Sequence, residues 1–173
     1  MPGLLNSVLV RLSLAFPALL SALLAGCGGQ TFDGRVYRND DLAFRIGPVP
    51  QTWRAIEVEG ALVAYRDEPN SATVALSGRC GLDGDDVPLK ALTHHLFLQF
   101  TEREIHSQEL KELNGREALR TELSAKLDGV PMRYVVYVLK KDGCVYDFML
   151  IGAHGEHVVQ DFERFVHGFS TLS

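Results

Sequence analysis

Glu117-Ala118-Leu119-Arg120-Thr121-Glu122-Leu123-Ser124-Ala125-Lys126-Leu127-Asp128-Gly129 is the run from which the fold is read. Leu119, Thr121, Leu123, Ala125 and Leu127 share one parity, and Arg120, Glu122, Ser124 and Lys126 take the other. Apolar and polar side chains that alternate with period two belong to a strand with one buried and one wet face. Asp128-Gly129 then supplies residues that tolerate the positive φ of a tight hairpin turn. Val130 to Lys140 follows with both parities largely apolar, the pattern of a central strand covered on both faces. Lys141-Asp142-Gly143 turns again, into Cys144 to Ile151. These three strands predict an antiparallel meander.

Outward from the meander, Val158, Val159, Phe162, Phe165, Val166 and Phe169 recur at helical spacing, with Asp161, Glu163 and Arg164 on the other side. Upstream, Pro88 fits the first turn of a helix with Asp86 near its cap, and Leu89, Leu92, Leu96 and Phe100 continue the periodicity. Leu62 to Arg66 and Ala72 to Arg79 pair around the turn-rich Asp67-Glu68-Pro69-Asn70-Ser71. Val36-Tyr37-Arg38 and Leu42-Ala43-Phe44-Arg45-Ile46 flank Asn39-Asp40-Asp41 as a hairpin. Gly47-Pro48-Val49-Pro50 breaks the pattern before Trp53, which reads as a core plug. The expectation is an α+β fold: an antiparallel β-sheet flanked by helices, an α/β/α sandwich, in one domain over residues 36–173.

The first residues carry a different signal. Arg11 precedes an apolar run from Leu12 to Leu24, interrupted by Ser13, Pro17 and Ser21 and too short for the roughly 20 residues that span a bilayer. Leu24-Ala25-Gly26-Cys27 closes it with small residues before a thiol, the order of an export signal ending in a lipobox. Residues 1–26 are therefore expected to be a lipoprotein signal peptide, and Cys27 the lipidated residue, its acyl chains (palmitate among them) forming the membrane anchor. Each buried methylene adds about 0.8 kcal/mol of membrane affinity, so several chains on one residue hold firmly. Residues 27–35, rich in glycine and without periodicity, read as a flexible tether. Gly28 follows the cysteine; by resemblance to enteric lipoproteins, Asp there would favour the inner membrane, so Gly28 points to the outer membrane, facing the periplasm.

Charge and cysteine usage agree with that address. The chain has 17 Lys+Arg against 22 Asp+Glu, a formal net charge of −5, and loss of residues 1–26 would remove only Arg11. An acidic domain without a basic stripe argues against nucleic acid as a partner. With Cys27 assigned to lipid, Cys80 and Cys144 remain in an oxidising compartment, each at a strand end. They are either a disulfide or two buried thiols.

No catalytic constellation stands out. His154 and His157, flanking Gly155-Glu156, are the best metal candidates, but further ligands such as His106 or His167 lack any recognisable spacing. His94 and His95 are adjacent on a helix and diverge by about 100°, so one should be solvated and the other packed. Asp83, Asp85 and Asp86 offer oxygen ligands, yet Pro88 occupies the place where a calcium loop needs glycine. Ser77 lacks the Gly-x-Ser-x-Gly context of a nucleophile. Glu102, Glu104, Glu109 and Glu112 alternate with Arg103, His106 and Lys111 as a solvated surface. No cofactor is implied.

The order Leu42-Ala43-Phe44-Arg45-Ile46, then Pro50 and Trp53, then Leu113-Asn114-Gly115-Arg116-Glu117-Ala118 entering the meander, then a closing aromatic helix, resembles the PsbP-like fold family. That family takes in photosystem accessory proteins, Ran-binding Mog proteins and DcrB-like bacterial lipoproteins; the members with a lipobox are the most similar. The resemblance implies a non-enzymatic accessory or interaction role at a membrane complex, with an envelope protein as partner. It carries over no contact residue. The alternative is a periplasmic binder of a small apolar or lipidic ligand, or of a metal ion.

Overall fold

The computed structural model describes residues 29–81, 87–152 and 155–172. The chain opens with β1 (Thr31–Phe32), β2 (Val36–Arg38) and β3 (Ala43–Arg45), continues through β4 (Trp53–Ile56), β5 (Val63–Asp67) and β6 (Ala72–Cys80), and then forms α1 (Leu89–Leu96). Four long strands follow: β7 (Thr101–Leu113), β8 (Arg116–Leu127), β9 (Val130–Lys141) and β10 (Cys144–Gly152). Helix α2 (Glu156–His167) and a short β11 (Ser170–Thr171) complete it.

The main sheet has seven strands in the order β4-β5-β6-β10-β9-β8-β7, every neighbour antiparallel. The meander is therefore present, with β9 interior as the double apolar parity required. Its three hairpins use the same device. Asn114-Gly115, Asp128-Gly129 and Asp142-Gly143 all have positive φ at both residues, so each is a two-residue turn whose twist matches the strands it joins.

Alternation along β9 divides the interior into two layers. Val135, Tyr137 and Leu139 point into a core closed by Val158, Phe162, Phe165 and Val166 of α2. Tyr134, Val136 and Val138 point the other way, against Leu92 of α1 and Phe97 beyond it. The sandwich is thus α/β/α, as the pattern predicts. Trp53 plugs the α2 side, its ring centroid 5.8 Å from that of Phe165.

Four features depart from expectation. The meander has a fourth strand, β7, at the edge of the sheet; its polar residues on both faces hide the alternation that marks its neighbours. The face of β8 that carries Arg120 is not wet, because α2 lies over it and leaves the Arg120 side chain 9% exposed. Pro88 is the cap residue of α1 rather than part of its first turn, no side chain among the described residues caps that end, and the helix stops at Leu96, short of Phe100; Asp86 lies outside the described residues. The fourth departure lies at the start of the domain, where the segment expected as tether is structured from Thr31. The Asp33 carboxylate accepts backbone N–H bonds from Val36 (2.7 Å) and Arg35 (2.8 Å), which turn β1 onto β2 and hold its pKa below the ordinary carboxylate value.

β1, β2, β3 and β11 form a second, four-stranded sheet. It packs through Phe44, whose ring lies 5.5 Å from that of Phe169. A backbone crossing fixes its position: Gly47 N–H donates to Phe165 O at 3.0 Å, and a Cβ on Gly168 would lie 2.3 Å from the Gly47 Cα.

Candidate functional site

The cysteines resolve first. Cys80 ends β6 directly opposite Cys144 at the start of β10. Gly81 N–H donates to Gly143 O at 3.2 Å, so the cysteines occupy the adjacent non-hydrogen-bonded site, where facing Cα atoms come closest. Their Cα atoms are 4.0 Å apart and the two sulfurs are bonded. The two-thiol alternative is set aside.

Among the described residues, the remaining sequence candidates do not converge. Cys27, the acidic loop Asp83, Asp85 and Asp86, and His154 lie outside the described residues. His157 is exposed, its Nε2 3.0 Å from Asn70 Oδ1, while Asn70 Nδ2 donates to the buried Asp67 at 2.7 Å. Among the described residues no group of three or more potential ligands could hold a metal ion. His94 and His95 are both exposed, so neither is packed as expected; α1 buries Leu92 and Thr93 instead. Ser77 stands half-buried opposite Asp147 in the β6–β10 register. Asp147 is bonded to Arg79.

One polar cluster is built into the sandwich, and sequence reading missed it. Arg120 Nε donates to Glu163 Oε1 at 2.8 Å and Nη2 to Glu122 Oε1 at 2.6 Å, while the Tyr137 hydroxyl donates to Glu163 Oε2. Burial pulls the Arg120 pKa down, but the hydrogen bonds it donates to Glu163 and Glu122 more than reverse it, and the net shift is upward. Burial, reinforced by the bond to Glu163, pushes the Tyr137 phenol up. This cluster fastens α2 to β8 and β9. Its principal donors and acceptors are turned on one another, which suits a structural joint better than a reaction centre.

The outward-facing feature is β7. As an edge strand it presents backbone groups that no neighbouring strand of the sheet engages. Ile105, Gln108 and Leu110 pair in register with Leu123, Thr121 and Leu119, so they share the face on which α1 packs. Ile105 and Leu110 are each 56% exposed, because α1 stops short of them. Leu98, just beyond α1, is also exposed. Between α1 and this strip runs a groove of about 250 Å³, lined by Phe97, Ile105, Gln108, Thr121 and Leu123 among others. The β7 carboxylates are exposed ion-pair partners, Glu102 with Lys126 and Glu109 with Lys111, both at 2.7 Å. They form the solvated surface that their spacing predicted. Ile105 and Leu110 were the only signal of a strand there, and a bulge between Ile105 and Ser107 puts those two apolar residues out of period.

No family model and no curated protein matches the sequence. Among solved structures, the fold is similar to that of a cyanobacterial PsbP protein, CyanoP of Synechocystis sp. PCC 6803, at 16% identity and a TM-score of 0.56, over 89% of this chain and 99% of that one. A protein of Bacteroides thetaiotaomicron is similar at 10% identity and a TM-score of 0.51, over 75% of this chain and 45% of that one. LpqN of Mycobacterium tuberculosis, described as involved in cell envelope biogenesis, has 18% identity and a TM-score of 0.49 over 84% of this chain and 90% of that one, too loose a superposition to carry anything across. The fold is PsbP-like, as the order of motifs implied. Likeness at these identities speaks of architecture alone.

Proposed function

We propose that this chain is a lipid-anchored accessory module of the bacterial envelope, holding a protein partner along β7 and catalysing no reaction. The observation that carries the reading is the exposed edge strand with Ile105 and Leu110 standing out from it, an apolar strip on an acidic chain. Edge strands take up extended segments of other proteins through main-chain hydrogen bonds, and side chains on alternate positions give the selectivity. The Leu24-Ala25-Gly26-Cys27 run supports the anchor on Cys27, and Gly28 supports the outer membrane facing the periplasm. The Cys80–Cys144 bridge is in keeping with an oxidising compartment. No helix among the described residues is long and apolar enough to cross a membrane. The reading involves no cofactor and no nucleic acid.

Site-specific photocrosslinking in the native envelope tests it. A photoreactive residue at Leu110 should capture one discrete protein, and the same probe at Arg54, on the opposite edge of the sheet, should not. Mass spectrometry of the recovered chain should find a diacylglyceryl group on Cys27. Equal capture at both edges, or none, removes the partner; an unmodified amino terminus removes the anchor.

A further inference from the structure

The groove beside β7 has a chemistry of its own. Its floor is largely apolar: Phe97, Thr121 and Leu123 are buried, and the two threonine hydroxyls that line it are each hydrogen-bonded. Thr93 Oγ1 donates to Leu89 O at 2.9 Å, and Gln108 Nε2 donates to Thr121 Oγ1 at 3.1 Å. A solute entering there need bring no hydrogen-bonding group, and it would cover the exposed Ile105.

The mouth is different. Lys90, His94 and Arg103 line it without a single carboxylate, although the chain carries 22 acidic residues against 17 basic ones. Arg103 donates from Nη1 to Phe97 O at 3.1 Å, and neither it nor Lys90 forms an ion pair among the described residues. The other guanidinium donors are of the kind that takes a carboxylate edge-on in two parallel bonds. A volume of about 250 Å³ lies just below the roughly 300–1,000 Å³ of pockets that enclose drug-sized ligands, so it suits one short apolar tail.

We propose that this groove binds a single-chain fatty carboxylate, its head on Arg103 and Lys90 and its tail across Phe97, Leu123 and Ile105. The proposal goes beyond the partner role and is separable from it, because Leu110 lies outside the groove and Arg103 lies within it.

The test uses the full chain in lipid nanodiscs and a decanoate carrying a diazirine at its tail. Labelling should fall on Ile105 or on the α1 segment and be competed at least tenfold by excess plain decanoate. Arg103→Gln should reduce it about tenfold, Arg103→Lys should restore part of it by keeping the charge without the two-bond fork, and Leu110→Lys should leave it unchanged. The matching photoreactive decanol should label wild type and Arg103→Gln alike. Both Arg103 variants must melt as wild type does, and a shared loss of labelling by decanoate and decanol would mark a merely structural role and overturn the proposal. So would labelling scattered over the surface, indifference to Arg103, or a groove found closed by a second copy of the chain.

Discussion

Arg120 shows how one residue can contradict its sequence context and still be well placed. It lies on the polar parity of β8, yet α2 brings Glu163 over it, and Tyr137 reaches the same carboxylate from β9. Removing the cation alone would leave that carboxylate half-buried and short of a counter-charge. Arg120→Met should therefore cost about 3 kcal/mol in urea unfolding, and Arg120→Met with Glu163→Leu should recover at least half of it. The tyrosines make a separate claim. Burial raises the phenol pKa of Tyr65, Tyr134, Tyr137 and Tyr146, with Glu163 adding to the shift at Tyr137. The folded state thus favours the neutral form: its contribution is complete below the ordinary value of about 10 and is lost as pH rises beyond it. Tyrosinate absorbance in an alkaline titration should then rise together with loss of tertiary structure. Ionisation of all of them in a chain still folded by circular dichroism would contradict the buried placement.

At the scale of elements, the β6–β10 ladder carries the bridge between residues 64 apart. The chain-entropy model gives a loop of that length about 4 kcal/mol as an upper figure, so Cys80→Ala with Cys144→Ala should lower stability by up to that amount while preserving the strand register, as hydrogen exchange can follow. What the sequence disclosed at this scale was selective, for physical reasons. β8, β9, β10 and α2 were legible because each must bury a face, and burial imposes a period. β7 was not, since an edge strand with a half-covered face has little to bury and carries charge against unwanted pairing. The two-residue strands β1 and β11 are too short for any period and exist only through their neighbours. The candidate surface was hidden for the same reason as β7. The Arg120 cluster needed residues 43 positions apart to meet, which no local pattern encodes.

Across the whole molecule, the two sheets and α2 are held in one arrangement by a place where backbone touches backbone. A Cβ on Gly47 would meet Arg164 O at 2.4 Å and Phe165 O at 2.5 Å, and one on Gly168 would meet the Gly47 Cα. Neither chain can retreat without unseating Phe165 or Phe169 from the core. Gly168→Ala should accordingly cost about 3 kcal/mol and lower the melting temperature far more than Gly129→Ala, which has open space at its Cβ and strains only a surface turn. Comparable melting of the two variants would show that the crossing bears no load.

The pairing of β3 with β11 has a consequence in time. Residues 43–45 leave the ribosome more than a hundred positions ahead of residues 170–171, their neighbours in the small sheet. The sheet begun by the β2–β3 hairpin is completed only when residues 170–171 arrive, and Cys80 waits in the same way for Cys144. Both closures join residues far apart in sequence, so neither can be complete before the intervening chain has been made.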